Sequence, residues 1–536
     1  MRHSVAPALT LVPRAATCRA GNGTFRLSGE TKIIADGETW AAAELLRSFL
    51  QKTPGERYEI VQEASSPAIQ LAFDRRLAPE HYSLSIREDG ISIAAGDAAG
   101  LCWATQTLRQ LLPPGSLRRS WNQQREWRLQ SIEIQDGPRY AWRGLLLDVA
   151  RHFVPLADLL RIVDLLSAHK LNRLQLHLTD DQGWRVEIKQ YPRLTSVGSW
   201  RRASQIGIGH TIDARPHGGF YTQNDLRELV SYAKQRSVIV VPEIDFPGHM
   251  QAAIAAYPDI GALGASVETL TTWTGPEDIL SLTEPAQRFI QTVLQEVAEI
   301  FDSPVIAIGG DEVPREMWDK GVASRDVMHS HGFADTTEAQ AWLTENARLF
   351  LAGLGRRAVA WDDVLDAGAR PEMLIAAWRG PSHATHAAEL GHEVISCPHE
   401  SVYLDYRQSA DAREPSAVGP VLTLADIYAF DPMPEDLDEA FASNIIGGQA
   451  NLWTEHVEGV RRIDYMLFPR LCALADAVWR SGEQDLSAFT IAMDVHLRRL
   501  DALGVEYRPQ AGPRPWQMDD VDESAQHVHA LSRESS

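Results

Sequence analysis

An aspartate and a glutamate, Asp311 and Glu312, stand side by side after Gly309-Gly310, at the end of the apolar run VIAI. Adjacent carboxyls can divide acid and base work. A neighbouring anion and partial burial both raise a carboxyl pKa, which keeps one of the two protonated near neutral pH. The competing reading is a helix N-terminal cap, where acidic side chains are favoured by the helix dipole. Similar residues follow other apolar runs. Asp148 and Arg151 follow the first, and Asp180, Asp181 and Trp184 the second. Glu243, Asp245 and His249 follow the third, Trp361 the fifth, Trp378 the sixth, and Trp453 and Glu455 the last. Tyr403 and Asp405 alternate in SVYLDY as strand neighbours would. Each has an ordinary alternative: an internal ion pair for Arg151, loop caps for Asp180 and Asp181, a structural turn histidine for His249, core packing for any one Trp. Their joint placement favours chemistry. The chain carries 15 Trp, more than its 12 Tyr or 14 Phe. Indole faces pack against the apolar faces of sugar rings as they do against other apolar surfaces.

The apolar runs themselves are the elements that must position these groups. RGLLLDVA (143–150), NRLQLHL (172–178), VIVVPEID (238–245), VIAIGGDE (305–312), RAVAWDD (357–363), MLIAAWRG (373–380), HEVISCP (392–398) and NIIGGQANLW (444–453) make eight strand-like runs. Most precede an amphipathic helical stretch. Unbroken apolar runs suit strands buried on both faces, and alternating β and α argues for a parallel sheet. Eight repeats predict an α/β fold built as a (β/α)8 TIM barrel, whose catalytic residues sit at the C-terminal ends of the strands. An open doubly wound sheet is the alternative, but no GxGxxG follows the first strand, and no cofactor is expected. Upstream, HYSLSIREDGISIAAGD alternates around Asp89-Gly90 as a hairpin does, and DAAGLCWATQTLRQLL has helical periodicity. The expected division is an N-terminal segment 1–23 open to disorder, a small α+β domain 24–138, a catalytic barrel 139–510 and a polar tail 511–536.

Of 536 residues, 51 are Lys or Arg and 72 are Asp or Glu, for a formal charge of −21. That balance argues against nucleic acid, whose binding needs cationic side chains, and against an anionic membrane surface. No run approaches a membrane span. Cys18, Cys102, Cys397 and Cys472 form no CxxC pair, which points to free thiols and a reducing compartment. The N-terminus reads as a poor signal peptide, so a cytoplasmic location is expected. Metal catalysis is the main rival within barrels. The His-x-His pairs, His329/His331 and His527/His529, lie away from strand ends, and no metal is expected.

Taken in order, RGLLLDVARHF, NRLQLHLTDDQGWR, VVPEIDFPGHM, IGGDE, AAW, YLD and NLWTE resemble the β-N-acetylhexosaminidases of glycoside hydrolase family 20, over residues 140 to 480. The resemblance implies a retaining hydrolase that uses no enzymic nucleophile. Glu312 would be the general acid and then the base. Asp311 would accept the substrate's acetamido N–H, and Tyr403 would donate to the acetamido oxygen as that oxygen attacks C1. Arg151, Asp405 and Glu455 would hold the hydroxyls of the terminal sugar. Asp180 and His249 would help set the state of Glu312, and Trp361, Trp378 and Trp453 would wall the pocket. The implied partner is a glycan or small molecule with a terminal N-acetylhexosamine. Trp40, Trp103 and Trp121 lie outside the barrel and are expected to serve packing.

One departure matters. Many relatives carry a further pocket Trp about ten residues before a Y-x-x-DP element. Here IYAFDP (427–432) places that position near Val418, where no Trp is present. Either another residue fills the wall, or the pocket is more open. The alternatives to an exo-acting enzyme are a relative with another sugar preference, such as a disaccharide-releasing hydrolase, and a non-catalytic glycan-binding protein.

Overall fold

The computed structural model describes residues 10–51, 57–65, 67–118, 120, 126–207, 209 and 211–519. Trp121, the His527/His529 pair and residues 520–536 of the tail lie outside them.

All eight expected barrel strands form. They are Trp142–Asp148 (β1), Arg173–His177 (β2), Ile239–Glu243 (β3), Val305–Ala307 (β4), Arg357–Trp361 (β5), Leu374–Ala377 (β6), Val394–Ser396 (β7) and Ile445–Leu452 (β8). Neighbours pair in parallel around the ring, and β8 closes on β1 through Gly447↔Trp142 to Leu452↔Leu147. Every residue of β1 is buried, which is why the run reads as apolar without alternation. Helices Leu156–Ala168, Gln223–Lys234, Glu284–Ile300 and Thr336–Gly353 cover the outside. The last apolar stretch splits at Pro469 into helices Val460–Leu467 and Arg470–Trp479, because proline has no N–H to continue the ladder.

Before the barrel lies a seven-stranded mixed sheet. The expected hairpin is there, with Arg87 opposite Gly90, and helix Ala98–Leu111 packs on one face. This unit starts earlier than expected. Thr17–Ser28 is a strand antiparallel to Glu126–Asp136, so residues 17–23 belong to the sheet and not to a loose leader. The pairing slips between Ala20 and Thr24, across Gly21-Asn22-Gly23. That polar, glycine-rich interruption hides the strand from pattern reading. Part of the expected polar tail is likewise held: a short helical turn covers Pro515–Gln517, and the Gln517 amide donates to the Glu506 and Tyr507 carbonyls. The small unit is fastened to the barrel by buried charge. The Lys170 ammonium donates to Asp136 at 2.7 Å, and Trp479 Nε1 donates to the same carboxylate at 3.0 Å. Trp103 is fully buried beside Trp479, as expected of a packing residue. Trp40 is not: it opens a surface helix and remains 42% exposed. All four cysteines are free thiols, three of them buried. Among the described residues, no helix is long and apolar enough to cross a membrane.

Candidate active site

At the C-terminal end of β4 the chain turns sharply. Gly309 and Gly310 have φ of +66° and +94°, a region that side chains other than glycine's strain to enter. A Cβ on Gly309 would lie 1.6 Å from Asp245 Oδ1. The absent side chain therefore lets the β3 carboxylate reach under the turn, where Oδ1 accepts from Gly310 N–H at 3.1 Å. The next residues are Asp311 and Glu312, and Glu312 also has positive φ, at +48°. Asp311 is well covered, while the Glu312 side chain is 63% exposed at the pocket mouth. The pair therefore projects from the strand end into a pocket and does not cap a helix.

That pocket has a volume of about 200 Å³ and gathers every site residue expected from the sequence. Arg151, Asp180 and His249 line one side, with Asp311 and Glu312. Trp361, Trp378, Tyr403, Asp405, Trp453 and Glu455 complete it. The indoles form a continuous wall. Trp361 and Trp453 have ring centroids 6.0 Å apart, and Trp378 stacks on Tyr403 at 6.4 Å. Trp378 Nε1 is fixed by Asp363 at 2.8 Å.

Charge pairing dominates the polar side. Asp180 is buried, and Arg151 meets its Oδ2 at 2.8 Å and His249 Nδ1 its Oδ1 at 3.3 Å. Burial alone would raise its pKa, but Arg151 and His249 outweigh it and hold the carboxyl well below the usual range. Burial would push His249 the other way; Asp180, Asp245 and Asp311 keep it charged, well above the usual histidine range. Its Nε2 lies 3.9 Å from both Asp311 Oδ2 and Glu312 Oε2. Asp311 is pushed up to about 7, chiefly by burial, with His249 opposing and Asp363, Glu243 and Glu312 adding to the rise. Its Oδ1 is buried without a partner. Asp405 is raised by burial and then by Glu455, and its Oδ1 is also unpartnered. Donor atoms of Asp245, His249 and Asp311 converge closely enough to surround a cation.

Four lining residues were not among the expected site residues: His177, Asp245, Tyr406 and Val418. His177 alternates with Gln175 among leucines in β2, a period-two polar signal that marks the inward face of a barrel strand. Val418 opens the exposed strand Val418–Val421, so the position named for its missing Trp does border the pocket. Two buried arginines support the site from behind. Arg185 donates to the carbonyls of Val149 and Ser199, beside Arg151. Arg470 donates to the carbonyls of Tyr406 and Leu422, holding the loop that carries Tyr403 and Asp405.

Comparison with known proteins agrees over most of the chain. The model of "Glycosyl hydrolase family 20, catalytic domain" matches residues 140–482, and that of "Glycosyl hydrolase family 20, domain 2" matches 8–137. A beta-hexosaminidase of Porphyromonas gingivalis is 34% identical over 93% of this chain, which spans 64% of that protein's length. A beta-N-acetylhexosaminidase of Cellulomonas fimi is 31% identical, with 95% of this chain and 97% of the relative covered. Among solved structures, the family 20 exo beta-N-acetylglucosaminidase of Vibrio harveyi in complex with N-acetylglucosamine superposes with a TM-score of 0.83. It is 30% identical, covering 95% of this chain and 80% of the other. The family 20 beta-N-acetylhexosaminidase of Streptomyces coelicolor A3(2) gives 0.82 at 28% identity, covering 95% and 99%.

Proposed function

The chain belongs to glycosyl hydrolase family 20, and from that premise we propose that it is an exo-acting β-N-acetylhexosaminidase. It removes terminal β-linked N-acetylglucosamine or N-acetylgalactosamine from the non-reducing ends of glycans, with retention and with the substrate's own acetamide as nucleophile. The observation that carries this reading is the division of labour between Asp311 and Glu312. Asp311 is covered, lines the pocket and carries a buried partnerless oxygen, whereas Glu312 stands exposed at its mouth. One carboxyl is placed for a group inside the pocket, and the other for the bond that leaves it.

In the first step Glu312 gives its proton to the glycosidic oxygen. The acetamido oxygen attacks C1 as the C1–O bond breaks, giving an oxazolinium ion. Asp311 accepts the acetamido N–H, orients the group and stabilises the developing positive charge. Tyr403 donates to the acetamido oxygen; burial raises its pKa well above the usual tyrosine range, so the hydroxyl keeps its proton. In the second step Glu312, now a base, takes a proton from water as the water attacks C1 and reopens the ring. Arg151, Asp405 and Glu455 accept and donate to the ring hydroxyls, and Trp361, Trp378 and Trp453 hold the apolar faces and the acetamide methyl.

Pocket size supports release of a single sugar. About 200 Å³ is below the roughly 300–1,000 Å³ of drug-sized ligand sites, a size that suits one sugar ring. The exo activity of the Vibrio harveyi enzyme points the same way. A chromogenic β-N-acetylglucosaminide tests the proposal: the protein turns it over, and Glu312→Gln lowers kcat by about 10²-fold or more, as loss of a general acid should. Binding of chitobiose without turnover of any such glycoside would make it a glycan-binding protein instead.

A further inference from the structure

Beneath the pocket, inside the barrel, runs a chain of charged groups that the reaction above does not use. His177 on β2 is buried, and its Nε2 lies 2.7 Å from Asp180 Oδ2, while its Nδ1 lies 3.2 Å from Glu243 Oε2 on β3. Glu243 is buried too and accepts from Gln175 Nε2 at 2.9 Å. Gln175 in turn accepts from Gln449 Nε2 at 3.1 Å, and Gln449 from Trp142 Nε1 at 3.1 Å. The barrel interior is thus crossed by one hydrogen-bonded line from β1 through β8 and β2 to β3. At its upper end are Asp180 and then His249, whose Nε2 faces Asp311 and Glu312. The His177 ring also meets Trp453 edge-on, with centroids 4.9 Å apart.

We propose that His177 and Glu243 are positioning residues for the hydrolysis. Together they form the buried half of a carboxylate–imidazole–carboxylate–imidazole chain, Glu243–His177–Asp180–His249. The chain fixes how Asp180 divides its two oxygens and so holds His249 against Asp311 and Glu312. The proposal rests on the hydrolase reading given above.

The geometry leaves Asp180 little freedom. Its Oδ2 is claimed by His177 and Arg151, which leaves Oδ1 to His249 and the Asp181 N–H. A neutral imidazole carries one N–H, whereas His177 sits between two carboxylates with a ring nitrogen facing each. Nε2 is hydrogen-bonded to Asp180, while Nδ1 faces Glu243 at ion-pair distance without a hydrogen bond, so both contacts are attractive only if the ring is an imidazolium. Burial opposes that charge, but Glu243 and Asp180 outweigh it. Glu243 thus supplies the anion that keeps His177 charged, and His177 supplies one of the cations that keep Asp180 ionised. Oriented chains of this kind fix ring direction as well as charge.

The charged groups facing the chain set the sign of its effect on pH dependence. Asp148 and Arg151 face it from β1, Asp181 from the loop after β2, and Asp245 from β3. Asp311 and Glu312 face it from β4, Asp363 from the turn after β5, and Glu455 from beyond β8. Replacing the His177 cation by a neutral side chain leaves these anions less compensated, so every nearby ionisation moves to higher pH. Replacing Glu243 by a neutral side chain removes an anion but also weakens the hold on the His177 proton, so the two effects oppose and the shift is smaller than that from replacing His177.

The experiment compares kcat and KM from pH 4 to 9 on the chromogenic glycoside for the native protein, His177→Gln and Glu243→Gln. The acid limb of kcat/KM is expected to shift alkaline by about 0.5–1 unit in His177→Gln, and by less than that in Glu243→Gln. Each variant is expected to lose about tenfold in kcat, with KM within about threefold. Equal pH profiles in all three, or an alkaline shift in Glu243→Gln as large as that in His177→Gln, overturn the proposal. The native protein supplies a second readout that needs no variant. With ¹⁵N-labelled histidine, at least two imidazolium signals are expected to persist at pH 8, from His177 and His249; their absence overturns the proposal. If the native protein does not cleave the glycoside, the hydrolase reading fails by itself, and the nitrogen spectrum still reports on the chain.

Discussion

Replacing Gly309 by alanine strikes the turn on which the whole acid pair rests. Gly309 sits at φ +66°, and the added Cβ would fall 1.6 Å from Asp245 Oδ1. No rotamer relieves that overlap, because Cβ is fixed by the backbone. Either the turn or the Asp245 carboxylate must move. The left-handed conformation costs an alanine about 1–2 kcal/mol. Displacing Asp245 also breaks its 3.1 Å hydrogen bond to Gly310 N–H, and an unsatisfied buried group costs about 1–3 kcal/mol. The sum is about 2–5 kcal/mol. Asp311 follows by two residues, so a shift approaching 1 Å at the turn carries the acid pair with it, and a misplacement of that size costs about 10²-fold in rate. Gly368→Ala is the control. Gly368 has φ +75°, and nothing lies within 4 Å of its built Cβ. It should lose only the conformational cost and keep its activity. Denaturation midpoints and kcat/KM on a chromogenic β-N-acetylglucosaminide measure both effects. If Gly309→Ala is as stable and as active as Gly368→Ala, Asp245 does not approach the turn and this account of the Gly-Gly pair is wrong.

Other expectations follow from the same geometry. Tyr403→Phe removes one donor to the acetamido oxygen and lowers kcat by about 10²-fold with little change in KM, as read by steady-state kinetics. Asp311 is pushed up to about 7, above the ordinary carboxyl value of 3.8. Below that point the free protein holds it neutral and without charge to offer a cation, so kcat/KM climbs with pH between the ordinary carboxyl range and about 7. Asp311→Asn abolishes that limb, and a pH–rate profile of each protein checks it. Val418 borders the pocket where many relatives carry a Trp, so gluco- and galacto-configured substrates are both expected to be turned over. Val418→Trp depresses the poorer of the two by about tenfold or more in parallel assays, the scale of a lost hydrophobic fit.

Sequence patterns reveal much of this molecule because the barrel strands are buried on both faces. Unbroken apolar runs leave little ambiguity, and a strand's end is marked by the change to Asp, Glu and Trp. Where burial and sequence part company, the pattern is silent. The strand Thr17–Ser28 is half solvent-facing and crosses Gly21-Asn22-Gly23, so neither apolar density nor alternation exposes it. Trp40 is a large apolar residue on a surface helix, and composition carries no information about its 42% exposure. His177 and Glu243 look like interruptions of apolar strands, and only closure of the barrel places them beneath the pocket. Arg185 and Arg470 bind backbone carbonyls from distant loops, contacts that no spacing rule encodes. At the site, the sequence supplies the residue types and the order of the strands. It does not contain the 3.9 Å approach of His249 to both Asp311 and Glu312 or the burial that separates the two carboxyls.

The central claim is that the substrate's acetamide, and no side chain, attacks C1. A series of aryl β-glycosides bearing N-acetyl, N-fluoroacetyl, N-difluoroacetyl and N-trifluoroacetyl groups tests it directly, because each fluorine withdraws electron density from the attacking oxygen. Substrate assistance predicts that kcat falls at every step of the series, with the trifluoro compound slowest. A kcat that is indifferent to fluorination would contradict the account and put an enzymic nucleophile in place of the acetamide.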